Sequence, residues 1–131
     1  MHPRVADLFN RVRQPFNVNS LALAAAAAAL GDRKFVAKSH KMNRAGLARL
    51  ERAFKKLGLE YIPSCANFVS FCVPRRNGEP RADRVYEQLL RQGIIVRPVA
   101  GYGLPDHLRV TVGTPKENEK FLKALDTALE A

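Results

Sequence analysis

Tryptophan is missing from this chain of 131 residues, and only two cysteines, two methionines and three histidines are present. Each scarcity removes a class of chemistry. Cys65 and Cys72 lie in one extended segment at a spacing that fits neither a CxxC redox motif nor a zinc knuckle, so they read as small apolar residues near a core strand. His2, His40 and His107 stand far apart, at no metal or triad spacing. No GxxxxGK[ST] loop occurs, and the glycine-rich "GYGLP" leads into a strand rather than a helix, so it lacks the N–H cradle that binds phosphates. The longest apolar run, "LALAAAAAAL", is far shorter than the roughly 20 residues of a membrane span. The opening "MHPRVADLFN" has no apolar signal region, so the expectation is a cytoplasmic protein with no membrane partner. Acidic residues are also few: 12 against 22 lysines and arginines, a formal charge of +10 with a sequence pI near 10.2. Such a balance attracts anions, whether phosphates, nucleic acid or acidic substrates.

What remains is ordinary globular material, 47% hydrophobic and 26% charged. The length suits one domain, residues 1–131, with enough chain to bury a core unaided by disulfide or metal. "HPRVADLFNRV" reads as a short helix with Pro3 in its first turn. Asn19 or Ser20 can cap the alanine run, whose small side chains suggest a helix buried against another layer. Leu47, Leu50, Phe54 and Leu57 recur at spacings of three and four, the apolar stripe of a further helix that Gly58 ends. Its basic residues, Arg44, Arg49, Arg52, Lys55 and Lys56, read as a solvated face or a phosphate contact.

The second half alternates strand and helix. Strands are expected at 67–73, 94–97 and 107–112, and helices around 83–92 and 115–130, with Asn77-Gly78 at the tip of a turn. Thr114, Pro115 and Glu117 have the spacing of a capping box with proline at the first helical position. The class is α+β: leading helices, then a small three-stranded, mainly antiparallel sheet with helices packed on one side.

Within "HLRVTVGT", Leu108, Val110 and Val112 alternate with His107, Arg109 and Thr111, so Arg109 belongs to the polar face of a half-buried strand. Arg97 ends the neighbouring "GIIVRP". A guanidinium recognises a carboxylate or phosphate through two parallel hydrogen bonds, and two arginines on adjacent strands could hold one dianion or two anionic ends. Solvated surface arginines are the competing reading.

The segments "RQPFNVNSLALAAAAAAL", "CANFVSF" and "GIIVRPVAGYGLPDHLRVTVGTPKENEKFLKAL" together resemble, in order and over nearly the whole chain, the C-terminal part of the pyridoxal-phosphate-dependent histidinol-phosphate aminotransferases. The closing arginine strand is shared by fold-type I aminotransferases at large; "IIVRP" favours the histidinol-phosphate branch. The resemblance implies the small, substrate-binding domain of an enzyme of histidine biosynthesis. That enzyme moves an amino group between glutamate or 2-oxoglutarate and histidinol phosphate or imidazole acetol phosphate. It implies that Arg109 binds the substrate α-carboxylate and that Arg97 helps hold the substrate phosphate. It also implies that the whole enzyme is a homodimer.

The cofactor lysine in its serine-rich loop, the aspartate for the pyridine nitrogen, and the tyrosine and serine near the cofactor phosphate have no counterpart here. Lys34, Lys38, Lys41, Lys55, Lys56, Lys116, Lys120 and Lys123 all read as helix-surface residues. A cofactor aldehyde needs a lysine held in a preorganised site. The expectation is therefore a domain whose large cofactor-binding partner is absent, with no catalytic residue of its own, no metal, no bound pyridoxal phosphate and no activity alone. Two alternatives stand beside it. A small basic α+β nucleic-acid-binding module would show steep salt dependence and a basic stripe on one face. The small domain of a related aminotransferase acting on other amino acids would differ only in selectivity.

Overall fold

The computed structural model describes residues 2–130 and divides into two compact units, one up to Ala37 and one from Lys38 onward. In the first unit, α1 (Pro3–Val12) starts on Pro3 with His2 as its cap, and α2 (Ser20–Gly31) starts on Asn19, whose Oδ1 accepts from Ala22 N–H at 2.9 Å. The alanine run is thus a helix, as its propensity requires, but it is not a buried one. No residue of α2 is buried, and Leu21 and Leu30 are each about four-fifths exposed. Local propensity and the Asn19 cap account for this helix, not burial. Asp32 separates α2 from the next helix: its Oδ1 accepts from Phe35 N–H at 3.0 Å and opens α3 (Arg33–Lys56).

The second unit is built on a four-stranded antiparallel sheet in the order β1 (Tyr61–Ile62), β2 (Phe68–Cys72), β4 (His107–Thr111), β3 (Arg97–Pro98). The α+β class holds, while the expected count of three strands is corrected to four. The added strand is two residues long, too short to show an alternating pattern, and Pro63 follows it at once. The expected strand at 94–97 shifts to Arg97–Pro98, because Ile94 N–H still bonds Leu89 C=O at the end of the preceding helix. Pro98 lacks an N–H and is tolerated because β3 is an edge.

Alternation divides the sheet into two faces. Val69, Phe71, Val73, Leu108 and Val110 point inward and are essentially buried. Against them lie Leu50 and Phe54 of α3, Val85 and Leu89 of α4 (Ala82–Arg91), and Phe121 and Leu125 of α5 (Pro115–Glu130). Phe54 is the hub: its ring centroid is 4.9 Å from Phe71, 6.0 Å from Tyr61 and 6.4 Å from Phe121. Truncating a buried aromatic of this kind to alanine costs about 3–5 kcal/mol.

The local signals behave as their chemistry dictates. Asn77 and Gly78 both adopt positive φ between the bridged pair Arg76 and Glu79, a two-residue turn that needs such residues. At α5, Thr114 N–H donates to Glu117 Oε2 at 2.7 Å and Glu117 N–H to Thr114 Oγ1 at 3.4 Å, a reciprocal capping box. A second lock joins β4 to α5. Asn118, nearly fully buried, accepts from Gly113 N–H at 2.9 Å and donates to Gly113 C=O at 3.0 Å.

Candidate functional site

The face of the sheet turned away from the three helices carries Phe68, Ser70 and Cys72 from β2, His107, Arg109 and Thr111 from β4, and Arg97 from β3. Register brings the two sequence-derived arginines together. Arg97 pairs directly with Arg109 across the β3–β4 ladder, and Arg109 pairs on its other side with Ser70. Arg109 is half-buried and Arg97 exposed. Both side chains leave the same face, because Arg109 alternates with the buried Leu108 and Val110.

Like charges at directly opposed positions of an antiparallel pair repel. Among the described residues no carboxylate forms an ion pair with either arginine; the salt bridges lie elsewhere, at Asp7–Arg11, Arg49–Glu119, Arg75–Asp106 and Glu119–Lys123. The positive charge at this spot is therefore uncompensated from within, the condition for attracting an anion. Beside the pair is a hollow of about 200 Å³ lined by Phe68, Ser70, Val99, Tyr102, Leu104 and Arg109. Larger hollows of about 390 and 560 Å³ open beside α3, but neither includes a sheet arginine. The glycine-rich loop forms the wall: Ala100–Tyr102 make one 3₁₀ turn, and the Tyr102 hydroxyl lies 3.5 Å from Arg97 Nη2.

Other candidate groups are not set up for proton or acyl transfer. Cys72 stands cross-strand from His107, but burial, with Asp106 and Glu60 adding to it against Arg75, raises its thiol pKa and disfavours the thiolate. His107 Nδ1 is enclosed without a protein hydrogen-bond partner, so no carboxylate orients the ring through that nitrogen. Among the described residues no cluster of three or more His, Cys, Asp or Glu side chains is placed to hold a metal, and no helix is long and apolar enough to cross a membrane. All eight lysines lie exposed on helices, so none offers the enclosed, preorganised amine that a cofactor aldehyde requires. The side chains here fit anion binding and do not fit the cofactor.

Phe68 escaped the sequence reading. Its ring centroid lies 4.6 Å from Arg109 Cζ, diagonally across the β2–β4 pair. The signal was available: Val69, Phe71 and Val73 mark the core face of β2, which leaves Phe68 as an aromatic on the polar face.

An α+β unit with one helix-covered sheet face and an arginine pair on the other is thus in place, and the chain's sequence matches the aminotransferase class I and II family model over residues 1–125. The chain belongs to that family. It is 60% identical over 129 residues to histidinol-phosphate aminotransferase 1 of Nitrosococcus oceani, covering 98% of this chain and 34% of that protein. It is 55% identical to histidinol-phosphate aminotransferase 2 of Nitrosospira multiformis, covering 98% of this chain and 32% of that protein. Among solved structures it is similar to the histidinol-phosphate aminotransferase of Sinorhizobium meliloti in complex with pyridoxal-5'-phosphate, with TM-score 0.75, 25% identity and coverage of 98% of this chain and 35% of that one. The enzyme of the same name from Clostridium acetobutylicum shares the fold with TM-score 0.75 at 24% identity, over 97% of this chain and 38% of that one. The chain spans about a third of the length of the curated relatives it matches.

Proposed function

We propose that residues 1–131 form the C-terminal substrate-binding domain of a histidinol-phosphate aminotransferase of histidine biosynthesis, and that Arg109 and Arg97 are its substrate-binding residues. The observation that carries this reading is the direct cross-strand pairing of Arg97 with Arg109 on one open sheet face without a carboxylate partner. The names of relatives at 55–60% identity support the substrate class.

In this reading the Arg109 fork takes the planar α-carboxylate of glutamate or 2-oxoglutarate through two charge-assisted hydrogen bonds. Arg97, one strand further out and within reach of Tyr102, takes the phosphate of histidinol phosphate or imidazole acetol phosphate. An anion seated between the guanidiniums also relieves their mutual repulsion, so substrate binding and local stability favour the same occupied state. Pyridoxal phosphate, when bound to the whole enzyme, supplies the carbonyl that receives the amino group and the ring that withdraws electrons. No lysine of this chain fits that group, so the cofactor lysine is assigned to a large domain beyond these residues, and this domain alone does not catalyse transfer. The whole enzyme is read as a cytoplasmic homodimer acting on small-molecule substrates.

The test is amino transfer by the full-length protein from histidinol phosphate to 2-oxoglutarate, compared with aromatic amino acids as donors. The reading expects histidinol phosphate to be preferred by roughly tenfold or more in kcat/KM. Transfer from phenylalanine without transfer from histidinol phosphate would replace it with the related-aminotransferase alternative.

A further inference from the structure

The Arg109 guanidinium lies between two unlike neighbours. On the β3 side Arg97 is directly opposite it; on the β2 side the ring of Phe68 lies beneath it, 4.6 Å from Cζ to centroid. Because β4 separates β2 from β3, the ring draws the cation away from the like charge. Phe68 is half-buried on the face opposite the core, where Val69 and Phe71 do the packing, so core burial does not explain an aromatic there.

The type of contact matters as much as its place. A carboxylate partner would fix Arg109 by occupying its N–H edges, the donors an anion must use. An aromatic ring attracts the face of the guanidinium and leaves those donors free. Phe68 and Arg109 also line the same hollow, so the ring lowers the polarity around the cation on the side where a ligand enters.

We infer that Phe68 is a positioning residue that holds the Arg109 guanidinium off Arg97 with its N–H edges presented to an incoming anion. The inference rests on Arg109 being an anion binder, and its test separates the two claims. In ¹⁵N-labelled chain, the order parameter of Arg109 Nε–Hε reports the positioning with no ligand present. Phe68→Leu lowers it below about 0.6, the flexible range, and Phe68→Tyr keeps it at the wild-type value. Titration with 2-oxoglutarate, whose carboxylate Arg109 is read to take, then reports the consequence: Phe68→Leu weakens binding roughly two- to thirtyfold, Phe68→Tyr stays within about twofold, and Arg109→Ala weakens it roughly tenfold or more. An unchanged order parameter in folded Phe68→Leu overturns the inference, as does equal weakening by the leucine and tyrosine variants. Binding of 2-oxoglutarate that is unchanged by Arg109→Ala, or is absent from the wild type, overturns the anion-site reading instead.

Discussion

Gly46 lies inside α3, where helix propensity alone would favour alanine by about 0.8–1.0 kcal/mol. The packing reverses that sign. A Cβ on Gly46 would run into Val112 Cγ1 and come within 3.0 Å of Asn118 Nδ2. Neither neighbour yields cheaply. Val112 is β-branched and stiff at χ1, and Asn118 is held by two hydrogen bonds to Gly113. Overpacking a tight contact costs about 1–3 kcal/mol, and displacing Asn118 forfeits roughly 1 kcal/mol for each bond lost. Gly46→Ala should therefore destabilise the fold by about 1–3 kcal/mol net of the propensity gain. With an unfolding entropy near 2.1 cal/mol/K per residue over roughly 94 residues, each kcal/mol lowers Tm by about 5 °C, so the expected drop is roughly 5–15 °C. Thermal and urea unfolding followed by circular dichroism measure it. A Tm above that of the wild type would show that α3 and the β4–α5 turn do not approach as closely as described.

Two further outcomes follow from the titrating groups. Hydrogen bonds from Thr114, its backbone N–H first, lower the Glu117 pKa from its ordinary 4.5. The stabilisation is complete above that value and is lost as pH falls through the depressed folded pKa, so amide protection in the first turn of α5 should decline there, and Glu117→Gln should remove this acid step. Cys65 is exposed whereas the Cys72 thiol is raised by burial and neighbouring carboxylates, so iodoacetamide near neutral pH should label Cys65 well before Cys72 by peptide mapping; equal rates would contradict the enclosure of Cys72.

The strands and helices of the second unit were readable because each buries one face, and burial imposes period two on "FVSFCV" and "HLRVTV" and spacings of three and four on α3 and α5. Capping at Thr114 and the turn at Asn77-Gly78 were readable because short polar side chains and positive φ act locally. The two-residue β1 and the Phe68–Arg109 contact were not, since each depends on register between segments distant in sequence. The alanine run misled in one respect: an apolar helix implies a covering layer, yet α2 is exposed along its whole length. Arg97 and Arg109 were singled out from adjacent strands, but their direct opposition is a fact of register that no spacing along the chain contains.

The most direct test of the arginine pair is steady-state kinetics of Arg109→Ala in the full-length enzyme with glutamate as amino donor. Charge-assisted hydrogen bonds are worth about 1.5–3 kcal/mol each, so kcat/KM should fall roughly ten- to a hundredfold or more, with Arg109→Lys recovering only part of the loss. Stability should change little, because the half-buried Arg109 loses only modest packing. A folded Arg109→Ala enzyme that transfers the amino group from glutamate as fast as the wild type would contradict the assignment.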